Sequence, residues 1–356
     1  MTEMANRDGL ELWRRMLNRR FSGAAVGLAS QQIDRAIVVA PPSLVAAALG
    51  DDDAMSASAT AAQGYARYVL SRQIEVLRWL GEISVPLVVL KGLAAALCDW
   101  DDPAQRIVGD LDLLVRRRDL PRIVDALSAR NYRFGSAVTP RWGFMSDASF
   151  VPFYSTDRVC NVDLHVEPDS YPLHRGLDAD AVFAAASEIV RHGVTLQVPS
   201  AEHAVLIAVS NLAKDKFPVG DARKLLDIAR VLQRKAPFDW REVENRARRA
   251  HLTVALRTAL SLAVALGLDD ALVLQQWRRI PSPPRRGAWR RLLSDWAQFD
   301  PAPPGLLLRL QREWMLSASP AVAARLGLRR LRGLVRPRSG LPTLRQPDDG
   351  STPRAF

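Results

Sequence analysis

Arg106-Ile-Val-Gly-Asp-Leu-Asp-Leu-Leu-Val115 carries the strongest structural signal in this chain. Polar and apolar residues alternate from Val108 onward. In a β-strand, residues two apart face the same side. Asp110 and Asp112 therefore project together, while Leu111, Leu113 and Val115 turn towards a core. A second alternating run, residues 159–167, puts Asn161, Asp163, His165 and Glu167 on one face and Cys160, Val162, Leu164 and Val166 on the other. Pairing of the two strands would bring three carboxylates onto one surface. Like charges held that close repel unless a cation lies among them. Hard oxygen ligands of this kind suit magnesium, or manganese in its place. Two such ions can hold both the attacking and the leaving oxygen of a displacement at phosphorus.

Outward from this stretch the sequence reads as α+β. Residues 61–83 keep Tyr65, Val69, Ile74, Leu77 and Leu80 on one broad face, as an amphipathic helix does. The period then changes at Val85-Pro-Leu-Val-Val-Leu-Lys91, a buried strand entered by a proline. Gly92 is expected to end it, with a short helix over 93–98. A helix over 119–130 and a strand over 132–138 follow. Residues 149–154 and 159–167 read as a hairpin, and residues 190–198 as another around His192-Gly193. Beyond Ser200 the pattern is helical at 201–216, 221–233, 239–250 and 252–266. Proline-rich breaks follow at 281–284 and 301–304. The last helix candidate, 321–335, is basic and amphipathic. Residues 337–356, rich in Pro, Gly and Ser, read as disordered. At the other end, short helices are expected near Leu10–Leu17 and at 43–49. The division expected is an N-terminal helical segment at 1–61, an α+β core at 62–200, a helical region at 201–336 and a basic tail at 337–356.

Composition excludes several classes. A chain that is 48% hydrophobic and 24% charged can bury a core. No run of eighteen residues lacks charge, so no membrane span is expected. The first residues show no apolar signal core. Cys98 and Cys160 have neither metal-site spacing nor a disulfide framework. They fit a reducing, cytoplasmic location. The net charge of +11 sits in the tail: residues 275–356 hold 16 Arg, no Lys and 5 acidic residues, which accounts for all of it. With 44 Arg against 5 Lys in the chain, arginine abundance reflects coding bias as readily as function. Nucleic acid or an anionic surface could meet that tail, but the body that would hold a site is neutral in sum.

The ensemble LVVLKGLAAAL, RIVGDLDLLV, LPRIVDALSARNYRF and NVDLHVE resembles the polymerase β nucleotidyltransferase superfamily. More closely it resembles the bacterial group called uncharacterised nucleotidyltransferases, related to abortive-infection nucleotidyltransferase toxins. PSAEHAVLIAVSNLA and KLLDIARVL extend the likeness to roughly residues 62–250. The resemblance implies a polymerase β-type core with a mixed sheet and flanking helices, followed by an all-helical domain. It implies transfer of a nucleoside monophosphate from an NTP to an acceptor, releasing pyrophosphate. In the superfamily a glycine turn after the first strand contacts the triphosphate, and three acidic residues hold the metals. Carried over, Gly92 takes the turn, Asp110 and Asp112 the first two ligands and Asp163 the third. Where the superfamily has Gly-Ser or Gly-Gly, this chain has Gly92-Leu93. That leaves phosphate to Lys91, Arg106 and main-chain N–H groups. Relatives tend to carry a His in the helix after Pro199; here Asn211 lies near that place. Gene company of such relatives implies a small-molecule, sugar or peptide acceptor, or a protein, more than a nucleic acid.

Each residue also has a plainer reading. Asp110, Asp112 and Asp163 can be a salt-bridged strand surface. Lys91, a compact charge suited to phosphate, can be a strand-end cation. Gly92 can be a simple turn. Arg106 can fork onto phosphate or carboxylate, or be one solvated arginine of many. His165 can touch substrate, orient Asp163 or serve structure alone. Trp142 and Phe144 could stack a base but read better as packing. For the whole protein, a non-catalytic binding or scaffold role on a retained fold, and an RNA-modifying nucleotidyltransferase, stay open beside the transferase.

Overall fold

The computed structural model describes residues 2–18, 30–49, 53–134, 148–234, 237–274, 286–301 and 306–316, with single positions 321, 323, 324 and 328. Its elements run α1 (Thr2–Leu17), α2 (Ser30–Val39), α3 (Pro42–Leu49), α4 (Asp53–Gly81), β1 (Leu87–Val89), α5 (Lys91–Asp99), β2 (Asp110–Val115), α6 (Leu120–Ala129), β3 (Arg133–Phe134), β4 (Phe153–Tyr154) and β5 (Asn161–His165). They continue as α7 (Ala179–Ala184), β6 (Ser187–Arg191), β7 (Val194–Val198), α8 (Ala201–Lys214), α9 (Ala222–Leu232), α10 (Trp240–Arg249), α11 (Thr253–Ala265), α12 (Ala271–Leu274), α13 (Arg286–Ala297) and α14 (Leu306–Leu316). The fold is α+β, as the sequence patterns predict. The expected tail, most of the 321–335 helix, and Trp142 and Phe144 lie outside the described residues.

The seven strands form one mixed sheet in the order β3-β4-β5-β2-β1-β7-β6. The central β2 pairs antiparallel with β1 and parallel with β5. The β4–β5 and β6–β7 hairpins form as the sequence predicts, both antiparallel. Alternation sorts the side chains between two cores. Leu111, Leu113 and Val115 of β2 and Val162 and Leu164 of β5 pack with α4, α5 and α6. Val88 of β1 and Leu114 of β2 face the other way, into a core made by the helices after β7. The aspartates share the pleat face of Leu114, so they emerge beneath that helical cover.

The helical core includes the N-terminus. Leu12, Trp13, Met16 and Leu17 of α1 are fully buried with Trp296 and Phe299. The Trp13 indole donates to the Trp296 carbonyl at 2.7 Å, and its ring stacks on Phe299 at 4.8 Å. Gly9 permits this approach, since a Cβ there would stand 2.0 Å from the Ala297 carbonyl oxygen. The last carbonyls of α1 lack helical partners. Arg230 and Gln233, at the end of α9, donate to Met16 and Leu17 there. The expected boundary at 61/62 falls inside the continuous helix α4, which starts at Asp53. No helix among the described residues is long and apolar enough to cross a membrane.

Candidate active site

The two acidic strands meet in register. Asp112 lies directly opposite Asp163, and Asp110 opposite Asn161. One ligand atom each from Asp112, Asp163 and His165 falls within 4.8 Å of the others. The closest group is thus two carboxylates and an imidazole. Asp110 stands exposed at the start of β2, where the Asn161 amide donates to it at 3.3 Å. All three aspartates line one cavity of about 320 Å³, together with Lys91, Gly92, Arg106 and Asn211.

The electrostatics follow from burial. Burial pushes the Asp163 carboxyl up to about 7, helped by the negative charges of Asp112 and Asp110. Burial would raise Asp112 too, but Lys91 and His165 outweigh it and hold that carboxyl far below the usual range. Lys91 donates to Asp112 Oδ1 at 2.6 Å. Burial alone would lower its pKa, and Asp112 reverses that to a net rise. His165 Nε2 stands 2.8 Å from the same oxygen and 3.1 Å from Lys91 Nζ. Its burial, with the Lys91 charge next, lowers its pKa and keeps the ring neutral. A neutral imidazole and ionised carboxylates are donors for a divalent cation. Two acids on adjacent strands also repel, so Asp163 near 7 reflects its burial first and the charges of Asp112 and Asp110 second. The donor set therefore fits a metal ion.

The structure shifts the expected turn by one residue. Strand β1 ends at Val89, Leu90 is extended, and Lys91 takes the left-handed conformation at φ +50°. A non-glycine residue there stores strain, a feature common at functional sites. Gly92 lies in the first turn of α5 and is not the left-handed residue. Its role is close approach: a Cβ would stand 3.3 Å from Arg106 Nη2 and 3.4 Å from Val108. Arg106 binds no site carboxylate. Its fork holds Asp227 of α9 through Nε and Nη2 at 2.8–3.1 Å, and Nη1 donates to the Ile107 carbonyl at 2.7 Å. Trp100 also donates to Asp227, at 3.0 Å. Asn211 is buried, its amide donating to Ile207 one turn back.

A family described as Uncharacterised nucleotidyltransferase matches residues 28–267. The chain belongs to that family. The match extends beyond the sheet to α2 and α3 before it and to α8–α11 after it, so the helical cover is part of the family's shared unit. No curated protein matches the chain. As a nucleotidyltransferase-family protein, it carries a buried Asp-Asp-His group that fits metal-dependent chemistry. Sequence reading missed Asp227, Arg223 and Lys224 of this cavity. They lie more than a hundred residues from Asp110, on a helix whose pattern looks like an ordinary amphipathic face.

Proposed function

We propose that this protein transfers a nucleoside monophosphate from an NTP to an acceptor and releases pyrophosphate, using Asp110, Asp112 and Asp163 with divalent metal. The observation that carries this reading is the register of Asp112 against Asp163 beside a buried, neutral His165, at the mouth of a cavity large enough for a nucleotide tail. Magnesium or manganese bound there would neutralise phosphate charge and align the reacting oxygens.

The chain's own residues have separate tasks. Asp112, ionised throughout, provides a fixed negative oxygen. Asp163, near 7, is the carboxyl able to take a proton from an acceptor hydroxyl at neutral pH. Asp110, exposed at the mouth, faces incoming substrate. Lys91, the first residue of α5, places a cation on Asp112 at the helix start. The free N–H groups of that helix start, at Lys91 and Gly92, form a natural phosphate cradle. Arg106 acts indirectly, locking the 106–109 loop to α9 and so fixing where β2 begins. The sheet at 62–200 would then supply the chemistry, and the helices after 200 would close the site. The acceptor is a small molecule, sugar, peptide or protein.

Incubation of labelled NTPs with cell extract tests this. The wild-type protein should label an acceptor and release pyrophosphate, and Asp112→Asn and Asp163→Asn should do neither. Nucleotide binding with no turnover under any acceptor condition would favour a binding role.

A further inference from the structure

Besides Lys91 and the three aspartates, the cavity is lined by four cationic side chains, Arg106, Arg223, Lys224 and Arg234. Three of these cations are matched: Arg106 to Asp227, Arg234 to Asp99, and Lys224 to both Asp215 and Asp221 at 2.8 Å. Arg223 is not. Among the described residues no carboxylate oxygen lies within salt-bridge distance of it, and its Nη1 donates to the Ile107 carbonyl at 3.2 Å. Asp221 and Asp227 act on it only across space, each already engaged by another cation. Burial and the neighbouring Arg106 charge both disfavour its cationic form. A half-buried guanidinium held in place with donors unspent is stabilised by an anion.

Its position says which anion. The same Ile107 carbonyl takes bonds from Arg106 and Arg223, so the two forks converge on the loop that leads into Asp110. Arg106 Nη2 lies over Gly92 at the start of α5. Arg223 therefore lies beside Arg106 on the wall of the cavity that the helix start and the three aspartates also line.

We propose that Arg223 anchors the polyphosphate tail of the NTP, making the nucleotide site a joint product of the sheet and helix α9. This rests on the nucleotidyltransferase reading above. The planar fork matches adjacent phosphate oxygens.

Titration calorimetry of the full chain with inorganic tripolyphosphate and magnesium tests it. Wild type should bind, Arg223→Gln should bind at least about tenfold more weakly, and Arg223→Lys should fall between, keeping charge but losing the fork. Either variant, folded by circular dichroism, with wild-type affinity overturns the proposal. In that case wild-type NTP binding that is lost in Asp112→Asn would leave the transferase reading standing. Wild-type protein that binds neither tripolyphosphate nor any NTP overturns both.

Discussion

Replacing Asp163 by Asn should stabilise the metal-free protein, by an amount that depends on pH. The folded chain holds the Asp163 proton to about 7, against an ordinary value of 3.8. Such a carboxyl disfavours the folded state as it ionises: stability is fully present below 3.8 and is lost as pH rises through 7. A displacement of that size corresponds to about 4 kcal/mol if taken whole. The side chain is only half-buried at the cavity mouth, so solvent reduces this to about 2 kcal/mol. For a chain of this length that is a melting-temperature rise of about 3 °C. Thermal unfolding in EDTA at pH 8.5 and pH 5 measures it. The Asn variant should melt higher at pH 8.5, and its advantage should shrink by more than half at pH 5. Added manganese should reverse the order, because only wild type gains from binding. A variant that melts lower than wild type in EDTA at pH 8.5 would refute the claim that folding penalises the ionised Asp163.

Other consequences follow from single contacts. Asp227→Asn leaves the buried Arg106 fork without its counter-charge and should cost about 3–5 kcal/mol in urea unfolding, whereas Arg106→Met with Asp227→Leu should recover much of that loss. Gly9→Ala drives a methyl group into the Ala297 carbonyl and should destabilise the chain by about 1–3 kcal/mol, measured as a lower denaturation midpoint. His165→Asn should weaken manganese binding by about 10–100-fold with little change in melting temperature, read by calorimetry. Because Asp163 must lose its proton to bind a cation, manganese affinity should rise between pH 6 and pH 8 and level off above that range, and Asp163→Asn should flatten the profile.

The centre of the sheet was readable because its acidic strands alternate where they carry Asp110, Asp112, Asp163 and His165. These four fall on one pleat face by period alone, and the structure pairs those strands in register. The helices after Ser200 were readable for the matching reason, a period near 3.6 bounded by caps such as Ser200 and Asp239. What escaped was non-local. Nothing in the sequence of α9 ties Asp227 to Arg106, 121 residues earlier. Helix α2 was missed because its stripe of Ile33, Ala36 and Ile37 is short, and packing on α3 and on residues 219–221 holds it in place. The turn after β1 was assigned to Gly92 because glycine is the usual left-handed residue. The chain instead strains Lys91 and uses the missing Cβ of Gly92 to admit Arg106.

The most direct test is electron paramagnetic resonance of manganese titrated into wild type, Asp112→Asn and Asp163→Asn, each with and without saturating NTP. Wild type should take up the ion, and hold it more tightly when NTP is present. Both variants should lose that NTP-linked uptake. Equal manganese binding by all three proteins, indifferent to NTP, would contradict the claim that the paired strands hold a cation against a triphosphate.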